Sequence, residues 1–323
     1  MTNSETNLRL FYERDIFPFY HLFREMKKKA LQKAVIFSLL TATLCFIIQL
    51  IIRHELKDTP VLLYYLSGVI IIYSGLANLS SGLKDRKRIF RYEILPRIVE
   101  FTGLNYRKTA DFAKKDYIDS KLFDSADRLL CYDAIEGYYD GVMIRFAQIE
   151  SQKKCIHKSG KYHRIEWISV FKGIILAADF NKKFKGVTIV HTDQESAFIG
   201  NFWAHFIQKN FQKHHGNLAI MDNPEFEKIF KTFTSDQIEA RYLLTGKFME
   251  KAVLLSKQYK NGKISFSFNQ NKFFIGFTAK KLFFQYKRGD ITYDLIKKIH
   301  EEITAFREIV TMFDLSTKIW TKN

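Results

Sequence analysis

Asp236, Gln237, Glu239 and Arg241 gather four polar side chains within six residues of this chain. Residues three or four apart share a helix face, so Asp236 and Glu239 could exchange protons or hold a hard cation there. The same spacing is also a D-x-x-E capping box, in which each side chain covers a backbone N–H at a helix start. Both readings predict a helix opening at Asp236. Elsewhere the chemistry is sparse. Nine histidines are present, and none falls in an HExxH or HxH pattern. His214 and His215 lie among Lys, Gly and Asn, and His157 and His163 flank Gly160 in a predicted turn. GxSxG, Walker and GxGxxG motifs are missing from the sequence. Cys45, Cys131 and Cys155 form no CxxC pair, which argues against a disulfide framework or a thiolate metal site. The expectation is therefore no catalytic residue, no metal and no cofactor. A membrane-tethered enzyme centred on Asp236, Glu239 and Arg241 is the alternative.

The elements that would carry these residues begin with two apolar runs, 34–52 and 61–83. About 20 apolar residues at about 1.5 Å each cover about 30 Å of hydrocarbon, so each run is long enough to span a bilayer. The link 53–60 is too short for a domain. Arg24, Lys27, Lys28, Lys29 and Lys33 precede the first run. Lys84, Arg86, Lys87, Arg88, Arg91 and Arg97 follow the second, while Arg53 and Lys57 in the link are offset by Glu55 and Asp58. Basic flanks stay on the cytoplasmic side, so both termini are predicted on the cytoplasmic side of the membrane. Neither run holds a charge that would suggest a transport path.

The second run carries its own pattern. Ser67-Gly68, Ser74-Gly75 and Ser81-Gly82 recur every seven residues, which places them on nearly one helix face. Small-residue stripes let helices approach closely in lipid. The stripe either receives the first span of the same chain or joins two chains in a homo-oligomer. Thr41 and Gln49 are placed to hydrogen-bond across either contact.

The net charge is +17, of which +14 lies beyond residue 83. A basic body beside a membrane has anionic inner-leaflet lipid as its nearest partner. Lys27, Lys28, Lys29, Lys33, Lys84, Arg86, Lys87, Arg88 and Arg91 are the predicted lipid-surface contacts. Nucleic acid ranks lower because no recognition motif appears. An unidentified protein partner completes the list of binding options.

Residues 1–33 mix aromatic and charged residues at helical spacing and read as an interfacial segment, with a helix starting near Pro18. A basic helix continues from Lys84 to about Phe101, kinked at Pro96 and stopped at Gly103. Residues 84–135 form this helix and a helical connector, and 136–323 a cytoplasmic α+β domain. Strands are expected over 138–150, 165–180, 184–192, 218–221, 227–233, 264–268, 273–278 and 282–286. Helices are expected from Asp236, over 247–259 and over 291–315, where Leu295, Ile299, Ile303, Phe306, Val310 and Phe313 repeat at helical spacing. The fold class is α+β: a transmembrane hairpin, then antiparallel strands with helices and a long C-terminal helix.

The segment FEKIFKTFTSDQIEARYLLTGKFME resembles the type FEKxFxVYxxDQxEARYxLTxxFME found in the bacterial membrane proteins grouped as domain of unknown function 3137. Phe171-Lys172-Gly173 and the stretch 181–190 are similar to two further blocks, as are Phe123-Asp124-Ser125 and 136–141. The resemblance runs over roughly 95–315 and implies a two-span membrane architecture. It implies no activity.

Overall fold

The computed structural model describes residues 3–55, 61–107, 111–159, 162–180, 183–192, 217–260, 262–280, 283–286 and 288–315. The link 56–60 and the His214-His215 pair lie outside them, as do the side chains of His157 and His163. The chain divides into two compact units, Met1–Ile98 with Tyr286–Ile299, and Val99–Gln285 with His300–Asn323.

The first unit is helical. Helix α1 (Asn3–Phe11) passes through a π-helical turn (Tyr12–Ile16) into α2 (Phe17–Glu55). Helix α3 (Val61–Ile89) passes through a second π turn (Phe90–Ile94) into α4 (Leu95–Phe101). Each π turn ends two residues before a proline, Pro18 or Pro96. Proline lacks an N–H, and its ring crowds the carbonyl four residues back. The wider turn relieves both: Phe17 N–H donates to the Tyr12 carbonyl and Leu95 N–H to that of Phe90, five residues back. An α-helix does begin beside Pro18, at Phe17, but helical chain already precedes it from Asn3.

Two helices are long and apolar enough to cross a membrane, and none of the most apolar stretch of either is buried. Nearer the N-terminus the side chains turn inward. Phe11, Ile16, Phe23, Phe90 and Ile94 are buried. Phe17 of the same segment is exposed. Residues 286–299 join this core. The Tyr286 ring meets Phe23 edge-on at 5.3 Å and stacks on Phe90 at 5.5 Å. Tyr12 donates to the Ile291 carbonyl (2.9 Å), and Lys297 pairs with Glu5 (2.9 Å).

The second unit is built on an antiparallel sheet of nine strands among the described residues, in the order β1-β2-β3-β4-β9-β8-β5-β7-β6. These are β1 (Asn105–Arg107), β2 (Arg128–Tyr139), β3 (Val142–Ser159), β4 (Tyr162–Asp179), β5 (Thr188–Thr192), β6 (Asn217–Ala219), β7 (Phe230–Thr234), β8 (Ile264–Asn269) and β9 (Lys272–Thr278). On one face α5 (Asp111–Ser120) and Phe123 cover Ile149, Phe171, Ile175 and Phe274. On the other, Phe248 of α8 (Gly246–Gln258) meets Phe266, Phe273 and Phe313. Phe306 of α9 (Tyr293–Met312) packs beside Phe146 and Phe277 there. The mixed α+β class expected from sequence is the class observed.

Three expected strands are corrected. The stretch 138–150 is broken at Asp140-Gly141, whose φ angles of +49° and +75° form a two-residue hairpin turn between β2 and β3. The stretch 227–233 is the end of helix α6 (Pro224–Ile229) followed by β7. Asn223 caps α6 and Pro224 fills its first turn, so the chain enters a helix before the strand can begin. Phe283 to Tyr286 form no strand either: Phe283 N–H donates to the Gln148 side chain and Phe284 N–H to Glu302, so no neighbouring backbone receives them.

Candidate functional site

Helix α7 (Gln237–Leu243) carries the polar set. Asp236 is its N-cap, and its carboxylate accepts from Ile238 N–H and Glu239 N–H, both at 3.0 Å. Glu239 does not complete the capping box. Asp236 N–H donates to the Thr234 hydroxyl instead (3.1 Å). The Glu239 carboxylate is buried and reaches across to the loop before β5, accepting from Lys185 N–H (3.1 Å) and Gly186 N–H (2.9 Å). Ser235 locks the same loop, accepting from Val187 N–H (2.9 Å) while its own N–H donates to the Val187 carbonyl (3.1 Å). A side chain at Gly186 would place its Cβ 2.5 Å from the Ser235 hydroxyl, so the loop approaches this closely only because residue 186 is glycine. Gln237 bridges to the Leu218 carbonyl (3.3 Å).

Asp236 and Glu239 are thus committed to backbone donors. Their chemistry is that of a clamp: one end of β5 is pinned to the start of α7. Arg241 is exposed and points elsewhere. It lines an open cleft of about 690 Å³ with Asp222, Asn223, Glu225, Lys228 and Thr245. The one mark of these neighbours in the sequence is the helix-start signal Asn223-Pro224-Glu225. In the cleft wall, Asn223 caps α6 and Thr245 caps α8 by accepting from Phe248 N–H (3.2 Å). Glu225 is ion-paired with Lys257, which holds its carboxyl below the usual range.

Two side chains that could act as nucleophiles, Cys131 and Ser265, are closed off. Burial pushes the Cys131 thiol up to about 11, leaving almost no thiolate at neutral pH. His191 Nδ1 sits 3.0 Å from the Ser265 hydroxyl, a pairing the sequence hid across 74 residues. Ser265 is 1% exposed, so substrate cannot reach it. Among the described residues no group of three or more His, Cys, Asp or Glu is arranged to hold a metal.

The predicted lipid-contact residues separate. Lys27, Lys28, Lys29, Lys33, Lys84, Lys87 and Arg88 are exposed, and Arg91 is half-buried. Arg86 is buried: it donates to the Gly82 carbonyl (3.2 Å) and the Tyr286 hydroxyl (3.3 Å). Its guanidinium holds protein to protein and is withdrawn from any lipid surface.

The small-residue stripe faces α2 of the same hairpin at four of its six positions. Gln49 donates to the Ser67 hydroxyl (3.1 Å), and the Thr41 and Ser74 hydroxyls are 3.2 Å apart. A Cβ on Gly75 would lie 2.9 Å from the Ser38 hydroxyl, and one on Gly82 only 2.5 Å from Ala30 Cβ. Gly68 has open space around it, and Ser81 is exposed.

The clamp joins two of the segments that carried the family resemblance, 181–190 and the DQIEAR stretch. Residues 169–315 match the model of the protein family of unknown function DUF3137. The match takes in the second half of β4, the clamp, the cleft and α9. It begins well after residue 95, so the Phe123 and 136–141 blocks lie outside it. No curated protein matches the chain. Among solved structures, the mycobacterial trehalose monomycolate transport factor A, TtfA, aligns over 68% of this chain and 93% of its own, at 9% identity and a TM-score of 0.33.

Proposed function

We propose that this protein is a two-span bacterial inner-membrane protein with both termini in the cytoplasm. It acts there as a binding or scaffold protein and contacts anionic lipid through the base of its hairpin. The observation that carries this reading is the helical hairpin itself: an exposed apolar stretch on both helices, bounded by exposed Lys27, Lys28, Lys29, Lys33, Lys84, Lys87 and Arg88. Each such cation near an anionic surface contributes about 1 kcal/mol. The enzyme alternative loses its central pair, because Asp236 and Glu239 are taken up by backbone N–H groups.

The test is lipid retention. Full-length protein purified in mild detergent should carry anionic phospholipid, counted by native mass spectrometry. The variant Lys84→Ser, Lys87→Ser, Arg88→Ser should lose most of it. Equal retention by the two proteins would refute lipid contact at this site. Cysteines placed at residues 3 and 58 test the topology: in inverted vesicles residue 3 should be labelled and residue 58 protected.

A further inference from the structure

Strands β3 and β4 outrun the sheet. Strand β2 stops pairing with β3 at Gln152, and β9 stops pairing with β4 at Gly173, yet β3 and β4 stay paired with each other to Ser159 and Tyr162. The result is a two-stranded arm about seven residues long, or roughly 23 Å at about 3.3 Å per residue. Isolated two-stranded ribbons are marginal in water and normally gain stability by covering one face. Here both faces are open, and residues 164–169 are all exposed.

The register sorts the arm's side chains. Ile156 pairs with Ile165 and Lys154 with Trp167, so these four share one face. Arg128, opposite Gln152, adds to that face with its guanidinium 6.0 Å from the Trp167 ring centre. Ile156 and Ile165 are each 53% exposed and Trp167 is 44% exposed. The other face carries Lys153, Cys155, Arg164, Glu166 and Ile168, and Lys153 there is already paired with Asp124 (3.3 Å). Among the described residues beyond Ser151, the Trp167 face holds no carboxylate.

We propose that this face of the β3–β4 arm is a docking surface for an anionic bilayer. It rests on the reading that the protein is membrane-anchored. Tryptophan and branched aliphatics interleaved with Lys and Arg suit the headgroup region, where the ring is half apolar and the cations meet phosphate. A domain on the same chain as two bilayer-length helices meets that surface at high effective concentration, so a small patch suffices. The arm is a second lipid contact, separate in sequence from the basic residues at the base of the hairpin.

The experiment reads Trp167 in the full-length chain, with Trp203→Phe and Trp320→Phe removing the other two tryptophans. The protein is reconstituted into vesicles of brominated phosphatidylcholine, with or without brominated phosphatidylglycerol. The expected result is strong quenching of Trp167 in the anionic vesicles, little in the zwitterionic ones, and relief by salt. Arg128→Glu with Lys154→Glu should bring quenching down to the zwitterionic level. These residues are exposed, and circular dichroism checks that the variant stays folded. A reconstituted protein whose Trp167 is equally bright in both lipids overturns the arm's docking and leaves the anchoring intact. Quenching independent of lipid charge, or shielding of Trp167 that rises with protein density, also overturns it; the second would assign the face to another copy of the chain. A chain that fails to enter vesicles at all overturns the anchoring and this inference together.

Discussion

Replacing Glu239 with alanine tests the clamp directly. The substitution removes a buried carboxylate that accepts from Lys185 and Gly186 N–H at 2.9–3.1 Å. An unsatisfied buried donor costs about 1–3 kcal/mol. Lys185 is exposed, so water recovers part of its bond, and the lower half of that range applies to it. The sum is about 2–5 kcal/mol. A domain of about 200 residues shifts by roughly 2–4 °C per kcal/mol, so the melting temperature should fall by about 4–20 °C. Hydrogen exchange supplies the local readout: the amides of residues 185–187 should exchange much faster, while those of β3 and β4 hold. Glu239→Gln keeps one acceptor oxygen but turns an NH2 toward a donor, and should fall between. Glu239→Ala with wild-type melting and unchanged exchange at residues 185–187 would refute the clamp and reopen the carboxylate for chemistry.

Other outcomes follow from the same geometry. Gly82→Leu should disrupt the hairpin, since even a Cβ there would lie 2.5 Å from Ala30 Cβ, whereas Gly68→Leu should be tolerated; protease resistance in detergent separates them. Asp116, buried on α5, bonds both Arg145 (3.1 Å) and Lys272 (3.0 Å). Asp116→Ala leaves two cations with little solvent and should cost about 3–5 kcal/mol in urea unfolding; a loss below about 1 kcal/mol would contradict this. Asp314 is held below the usual carboxylate range by hydrogen bonds from Lys247 and Lys251. A lowered folded-state value means the contribution is complete above the unfolded value and lost as pH falls through the folded one. Asp314→Asn should therefore cost under about 1 kcal/mol near pH 7, since the group is 38% exposed, and nothing in strong acid.

What the sequence displayed was local. Two uncharged runs announce the hairpin because hydropathy is additive along a helix. The seven-residue Ser-Gly period announces a packed face, and Thr41 and Gln49 are where its hydrogen bonds fall. The Asp236 cap is equally local. Distant partners were hidden. Glu239 looked like half of a capping box because the backbone donor it binds, the Gly186 N–H, is 53 residues away. Arg86 read as one more flanking cation because Tyr286 is 200 residues on. Other misses were visible signals overridden by pattern: Asp140-Gly141 is a strong hairpin turn, and Asn223-Pro224 a strong helix start, yet apolar alternation carried each strand assignment across them. The cleft beside Arg241 depends on three helix ends meeting, which no single stretch encodes.

The segment 286–299 completes a core that the first helices begin, and this imposes an order in time. Glu5 and Lys297 are 292 residues apart. At about 5–20 residues per second of synthesis, the N-terminal helices wait roughly 15–60 s before their partner segment exists. During that interval Phe23 lacks the Tyr286 ring that it meets in the finished fold, and Glu5 lacks Lys297. The nascent helices hold these side chains without those partners until the last segment is made. Truncating the chain before Tyr286 should freeze that immature state and make the first helices protease-sensitive while the spans stay protected.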